Sequence, residues 1–339
     1  MKNLQNKFFR ACTGAAILAA SVAGLSSCNA FKEDLPPCPE GVALRFVFDY
    51  NMEFANAFPS QVDCLTLLVY DAAGNYVKTV TETTQVLADE NWRMNIDLPA
   101  GQTYHFVAYG GLECSKSTFS FVNTPAAGSS LSQLQVTMDP DCIDADPGKD
   151  LHPLFFGDLD LAVPTGATDY TAGTVYMMRD TNTLRILLQN VDGTPCHAAD
   201  FDFDLTDNNT LFNYANNVIP TTDGIKYIPY YTGDVTPGLN GDGSDVVLAA
   251  AEFSTSRFME TSNARLIIKN KANGNVVLSI PIINYLLLLR SQQYASMGDQ
   301  EFLDREHRWN VILFLEHGRW VDTHIVVNDW NVRINNAEL

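Results

Sequence analysis

The sequence predicts an all-β protein: two tandem antiparallel β-sandwiches behind an N-terminal targeting segment. Three observations carry that prediction. Short runs rich in Val, Ile, Leu, Phe and Tyr recur at roughly ten-residue spacing, separated by Gly, Asn, Asp and Pro, the punctuation of strands and tight turns. Long helical periodicity is missing, which favours sandwiches over a mixed fold. The chain has 339 residues, 46% of them apolar, enough for two cores of ordinary size.

The first element is a leader. Lys2, Lys7 and Arg10 make a basic start, and Ala11 to Gly24 is dominated by small and apolar residues. That is the layout of a bacterial export signal, and its apolar run is too short to span a bilayer as a helix. It ends in Leu25, Ser26, Ser27 and Cys28, an order that resembles a bacterial lipobox. Residues 1–27 are therefore expected to be removed and Cys28 to be lipidated. Their loss takes away three positive charges and no acid, moving the net charge from −19 to −22. So acidic a surface argues against nucleic acid, whose phosphates demand a positive footprint. It argues equally against adhesion to anionic lipid through basic patches. A cysteine bearing more than one acyl chain needs no such patch. Residues 28–41 are expected to form a lipidated tether, kept extended by Pro36, Pro37, Glu33 and Asp34.

The first sandwich is expected over residues 42–140. "VALRFVFDY" (42–50) alternates as a strand does, and "VDCLTLLVYD" (62–71) is a second. "AAGN" then turns the chain into "YVKTVT", a hairpin in which Gly74 and Asn75 supply positive φ angles. "WRMNIDLPAG" and "TYHFVAYGG" repeat the pattern of strand, turn and strand, and "SQLQVTMD" closes the series. Residues 141–153 are acidic, proline-bearing and aperiodic, and are read as a linker.

The second sandwich is expected over residues 154–339. Its strands read "FFGDLDLAV", "TVYMMRDTNTLRILLQNV", "FDFDLTD", "KYIPYY", "DVVLAAAEFSTSRFM" and "ARLIIKN", with "ANGN" turning into "VVLSIPII". Asp180, Thr181 and Asn182 are expected to make a hairpin turn. "IINYLLLLRSQQYASM" fits a short helix or a strand equally. The C-terminal stretch reads as a hairpin about His317 and Gly318 followed by an edge strand.

No catalytic or cofactor motif emerges: there is no nucleophile elbow, phosphate loop, dinucleotide glycine pattern or His-Glu-x-x-His. The chain is read as a non-enzyme without a cofactor or metal. The six histidines are scattered, and the carboxylates at Asp144 and Asp146, and at Asp242 and Asp245, do not continue into a calcium-ligand series. Trp92, Trp309, Trp320 and Trp330 could stack on sugar rings, but their strand settings favour core positions. Once Cys12 leaves and Cys28 is lipidated, the candidate disulfide cysteines are Cys38, Cys64, Cys114, Cys142 and Cys196. Five is odd, so at least one thiol remains, and the pairing is open. Cys196 adjoins His197, yet neighbours on a strand face opposite ways, which favours a structural thiol.

Several stretches together resemble the FimB-type anchor subunits of Bacteroidales type V fimbriae. They are the lipobox, "DLPPCPEGVALRFVFDYNMEFANAFPSQVDCLTLLVYDAAGNYV", "LFFGDLDLAV", "NTLRILLQN", and "SMGDQEFLDREHRWNVILFLE" with "IVVNDWNVRI". The resemblance implies two transthyretin-like sandwiches on an outer-membrane lipoprotein at the base of a fimbria. Such a subunit holds the fimbria to the cell and ends its growth, with a fimbrial stalk subunit as partner and no enzymatic activity. Stalk subunits of this system are cut after an arginine ahead of a removable first strand. Here Arg45 falls inside the first expected strand, which fits an anchor. Two other functions fit the same sequence: a cell-surface glycan-binding lipoprotein, and a fimbrial tip adhesin, for which a lipid anchor has no obvious use.

Overall fold

The computed structural model describes residues 40–239, 241, 243–288, 290, 294–327 and 330–335. Residues 40–339 cluster as one compact unit. Its strands form four sheets.

The first sheet has seven strands. In chain order these are β1 (Gly41–Val47), β2 (Leu65–Asp71), β3 (Tyr76–Glu82), β4 (Met94–Asp97), β5 (Gln102–Gly110), β8 (Phe155–Val163) and β9 (Thr171–Arg179). They lie side by side in the order β3-β2-β5-β8-β9-β1-β4. The alternation Val42, Leu44, Phe46 and Leu65, Leu67, Val69 puts both sets on one face, and they meet in one core with Phe106, Val175 and Met177. Strands from both ends of the sheet share that core because the sheet curls over itself. β8 pairs with β9 only from Phe155 to Asp158. Beyond that point a Cβ on Gly173 would lie 2.8–2.9 Å from Leu161, Leu159 and Leu44. Lys78 on edge strand β3 reaches the main-chain carbonyl of Asp97 on edge strand β4 at 2.6 Å, drawing the two edges together. The helical turn α1 (Phe58–Gln61) places Phe58 against Phe46, with ring centroids 5.7 Å apart.

β2 is apolar on both faces for a structural reason. Leu68 and Tyr70, with Val107 and Tyr109 of β5, turn away from the first core into a second one. A small sheet covers them, built from β6 (Phe119–Phe121), β7 (Gln135–Met138), β12 (Leu211–Asn213) and β13 (Val218–Ile219), in the order β13-β12-β7-β6.

The second sandwich has a six-stranded sheet in the order β15-β16-β10-β19-β20-β21. Its members are β10 (Thr181–Asn190), β15 (Tyr231–Leu239), β16 (Asp245–Ser256), β19 (Arg308–Glu316), β20 (Arg319–Val327) and β21 (Trp330–Asn335). The facing sheet runs β14-β11-β17-β18, from β14 (Ile225–Tyr227), β11 (Phe201–Asp207), β17 (Arg265–Asn270) and β18 (Val276–Pro281). Between them lie Leu184, Ile186, Phe253, Val311 and Leu313 from one sheet and Phe203, Leu205, Leu266 and Ile268 from the other. Two helices, α2 (Ile282–Leu288) and α3 (Asp299–Arg305), connect β18 to β19. The ambiguous apolar run is therefore helical at its start. No described helix is long and apolar enough to cross a membrane.

Three local expectations change in three dimensions. The chain does not leave the first sheet at residues 141–153, because β8 pairs with β5 and β9 runs parallel to β1. Asp180 is not a hairpin turn: β9 stays in the first sheet while β10 pairs with β16 and β19. The chain passes straight from one sandwich to the other, and Asp180 is fully buried at the crossing. β4 and β5 likewise separate, β4 pairing with β1 and β5 with β2 and β8. The hairpin turn forms where expected, but Gly74 (φ +78°) alone takes the positive φ and Asn75 does not, because Asp71 Oδ1 accepts the Ala73 and Asn75 amides and Asn75 already bridges to Ser130. The two-residue turn of His317 (φ +50°) and Gly318 (φ +73°) keeps its predicted form, the geometry that suits a twisted hairpin.

Candidate functional site

The predicted lipidation site Cys28 and the candidate disulfide cysteine Cys38 lie outside the described residues. The described residues begin at Glu40, at the end of the segment expected as a tether. Gly41 stands there at φ +142°, and a Cβ would come 2.0 Å from the carbonyl oxygen of Ile96, so the chain can enter the sheet at this point only as glycine. β1 then pairs antiparallel with β4 and parallel with β9, the latter from Val42–Thr171 to Val47–Tyr176. Arg45 sits mid-strand, half-buried, and β1 is an inner strand of a closed core.

Cys64, just before β2, is disulfide-bonded to Cys114, just after β5, across 50 residues of sequence. Beside the bond, His152 Nε2 and Asp63 Oδ1 are 2.9 Å apart. Asp63, Cys64, Cys114 and His152 each place a potential ligand atom within 4.8 Å of the others, but the disulfide uses both sulfurs. Cys142 and Cys196 are buried free thiols. Burial pushes Cys142 up to about 12 and Cys196 up to about 11, and the Asp141 carboxylate adds to the first. Thiols held protonated in this way are poor nucleophiles and poor metal ligands.

The two sandwiches are joined by a buried polar cluster. Asp180 accepts a hydrogen bond from Asn216 Nδ2 at 2.9 Å, and the Asn216 carbonyl accepts one from Arg257 Nη1 at 2.9 Å. Arg257 in turn pairs with Asp304 on α3. Burial raises the Asp180 carboxyl to about 7. Next to this cluster, burial raises Glu306 to about 7 and holds His307 down to about 3. These groups fasten elements together, and no nucleophile–base pair is formed among them.

No catalytic constellation is assembled among the described residues, and the surface by which a sandwich binds protein is often a sheet edge. Four of the edge strands are blunted in known ways. β3 and β4 are bridged by Lys78. β15 carries Pro237 and a register break between Val235 and Gly238. β14 is three residues long, and its Lys226 amide donates to Asp144 Oδ1 at 2.7 Å. Residues 141–148 thus form a strap over β14, fixed also by the Gly148 amide on the Pro229 carbonyl at 3.2 Å.

β11 is different. It pairs with β17 from Phe201 to Thr206, but with β14 only from Leu205 to Asp207. Phe201–Asp204 therefore has a ladder on one side alone. Along its other side runs a groove of about 710 Å³, walled by the strap (Asp146, Pro147), by β15 (Thr232, Gly233, Asp234) and by Ile228 and Pro229. The alternation of "FDFDLTD" announced a strand with one buried face. That β14 stops four residues short of covering it depends on Pro229, where the chain departs so that the Tyr230 amide can bond the Glu252 carbonyl in the other sheet.

The tryptophans proposed for sugar stacking pack inward where they are described. Trp309 is buried, and Trp92 stacks on Phe46 at 6.1 Å. Trp320 lies 5.9 Å from the ring of Tyr285. The side chain of Trp330 lies outside the described residues.

Comparison with known proteins agrees with this fold. A crystal structure of a candidate adhesin from Bacteroides thetaiotaomicron is 49% identical, superposes with a TM-score of 0.83, and matches 89% of this chain and 100% of that one. A candidate polysaccharide-binding protein from the same species is 28% identical, with a TM-score of 0.75 over 87% of this chain and 98% of that one. The fimbrial anchor protein Mfa2 of Porphyromonas gingivalis shares the fold at 16% identity, with a TM-score of 0.65 over 87% and 99% of the two chains. No curated protein sequence matches the chain. The family model for fimbrillin-A associated anchor proteins Mfa1 and Mfa2 matches residues 35–336. Nearly the whole length is covered, and the chain belongs to that fimbria-associated anchor family.

Proposed function

We propose that this chain is an outer-membrane lipoprotein that anchors a fimbria at its base and ends its growth by binding a shaft subunit. Lipid on Cys28 would hold it to the membrane, and residues 29–40 would link that lipid to β1. The observation that carries the reading is the placement of β1. A shaft subunit of the kind described above must shed its first strand to open a site for its neighbour. In this chain β1 is bonded on both sides and contributes Val42, Leu44 and Phe46 to the first core. A subunit that keeps its first strand is suited to close a polymer at one end. Binding of the shaft subunit would then use main-chain pairing at another edge, with neither catalysis nor a cofactor. Glycan binding is less well supported, since Trp92, Trp309 and Trp320 pack against other rings rather than forming an exposed platform.

Cys28→Ala in the native host tests the reading. The expected result is loss of the chain from the membrane fraction and fimbriae that are shed into the medium or abnormally long. Fimbriae that stay attached at normal length would overturn it.

A further inference from the structure

The free half of β11, Phe201–Asp204, is, we infer, an acceptor edge for one extended strand of the fimbrial shaft subunit, a strand with small apolar residues on one face and polar residues on the other. This rests on the reading of the chain as a subunit-binding anchor and assigns the place of binding. Successive residues of a strand point to opposite faces. Yet Phe201, Asp202, Phe203 and Asp204 all line the same groove. A groove that touches both faces of one strand lies along its edge, where main-chain N–H and C=O groups point outward.

The chain itself cannot continue the pairing there. β14 would be the natural partner, but it ends at Tyr227, and Pro229 leads the chain across to β15. An incoming strand would prolong the line of β14 and meet four residues of β11. Its two side-chain rows would face different chemistry. One row meets Phe201, Phe203 and Ala198, whose rings and methyl leave room for small apolar groups. The other row meets Lys226, Lys269 and Lys271, set among Asp202 and Asp204. Lys226 pairs with Asp204 at 2.7 Å and Lys271 with Asp202 at 3.5 Å. The groove as a whole sets Lys226, Lys269 and Lys271 against Asp146, Asp202, Asp204 and Asp234, so this face suits a polar row on the guest without selecting the sign of its charge. Asp234, on the β15 wall, is already engaged by His197 Nδ1 and by the Ala198 amide, both at 2.8 Å.

Hydrogen exchange of the full-length chain, alone and with the purified shaft subunit of the same fimbria, tests the assignment. The Asp202 and Asp204 amides face β17 and the Phe201 amide already donates to the Ala198 carbonyl, so it is the Phe203 amide that should exchange at least about 10-fold more slowly in the complex, as an amide entering a ladder does. Thr232→Trp, which fills the groove from the exposed side of β15, should weaken binding by about 10-fold or more, while Thr79→Trp on β3 should leave it unchanged. Binding with the Phe203 amide unprotected, or a loss caused by the β3 variant alone, would overturn the edge assignment and leave the anchor reading standing. No binding by the wild-type chain would instead overturn the anchor reading and this assignment with it. If Thr232→Trp does not fold, the exchange result on the wild-type chain decides.

Discussion

Arg257 and Asp304 meet face to face: Arg257 Nε and Nη2 each donate to a carboxylate oxygen of Asp304 at 2.7 Å. The arginine directly follows β16 and the aspartate lies on α3, so the pair fastens the helical connection to the six-stranded sheet. Both side chains are nearly excluded from solvent, with 12% and 5% exposure. Removing one partner strands a buried charge, which typically destabilises by about 3–5 kcal/mol. Asp304→Ala is therefore expected to lower unfolding stability by about that amount in denaturant titrations. A loss under about 1 kcal/mol would mean that water reaches the site and solvates the arginine.

Stability should fall between pH 5 and 6.5, and Glu306 should be a cause. Burial raises Asp180 and Glu306 to about 7, above their unfolded values, so each contributes stability at low pH that is lost as pH rises through 7. His307 works the other way. Held down to about 3 by burial and by Arg179 and Arg308, it contributes stability above its unfolded value that is lost as pH falls. In the window between, the fold binds about one proton more than the unfolded chain, giving a loss of about 1 kcal/mol per pH unit. Glu306→Gln removes one of the two opposing protons' worth and should flatten the slope. Chemical denaturation at pH 5.0, 5.75 and 6.5 measures it, and an unchanged slope in the variant would be the contrary result.

The disulfide closes a loop of 50 residues between Cys64 and Cys114. On the chain-entropy account a loop of that length stabilises by about 4 kcal/mol. The paired Cys64→Ser, Cys114→Ser variant should lose 2 to 4 kcal/mol on that order of magnitude, and the reduced wild type should unfold alongside it. Equal midpoints for oxidised and reduced protein would show that the bond is thermodynamically idle.

Arg45 should resist an arginine-specific protease as long as the sheet is intact. Opening the chain there requires β1 to leave both β4 and β9, and local opening of an inner strand approaches global unfolding in free energy. N-terminal sequencing after limited digestion should find exposed arginines cut first and the bond after Arg45 intact. Early cleavage at Arg45 with the rest of the fold preserved would place the chain among subunits whose first strand is removable.

The sequence by itself determined the local vocabulary: which stretches are strands, where Gly74 and the His317–Gly318 pair turn the chain, and that the protein is all-β. Those features depend on alternation and on φ preferences, which act within a few residues. It also carried the family, through motifs spread over the chain. Only the tertiary structure decided which strands are partners. β1 runs beside β9 although 129 positions separate Val42 from Thr171, and nothing local in either strand specifies that choice. Asp180 has the residues of a turn, yet it crosses between sandwiches, where Asn216, reached through distant contacts, donates to one oxygen of its carboxylate. The candidate acceptor edge is decided the same way. "FDFDLTD" reads as a strand in any setting, and its first four residues are left open only because Pro229 takes the neighbouring strand away.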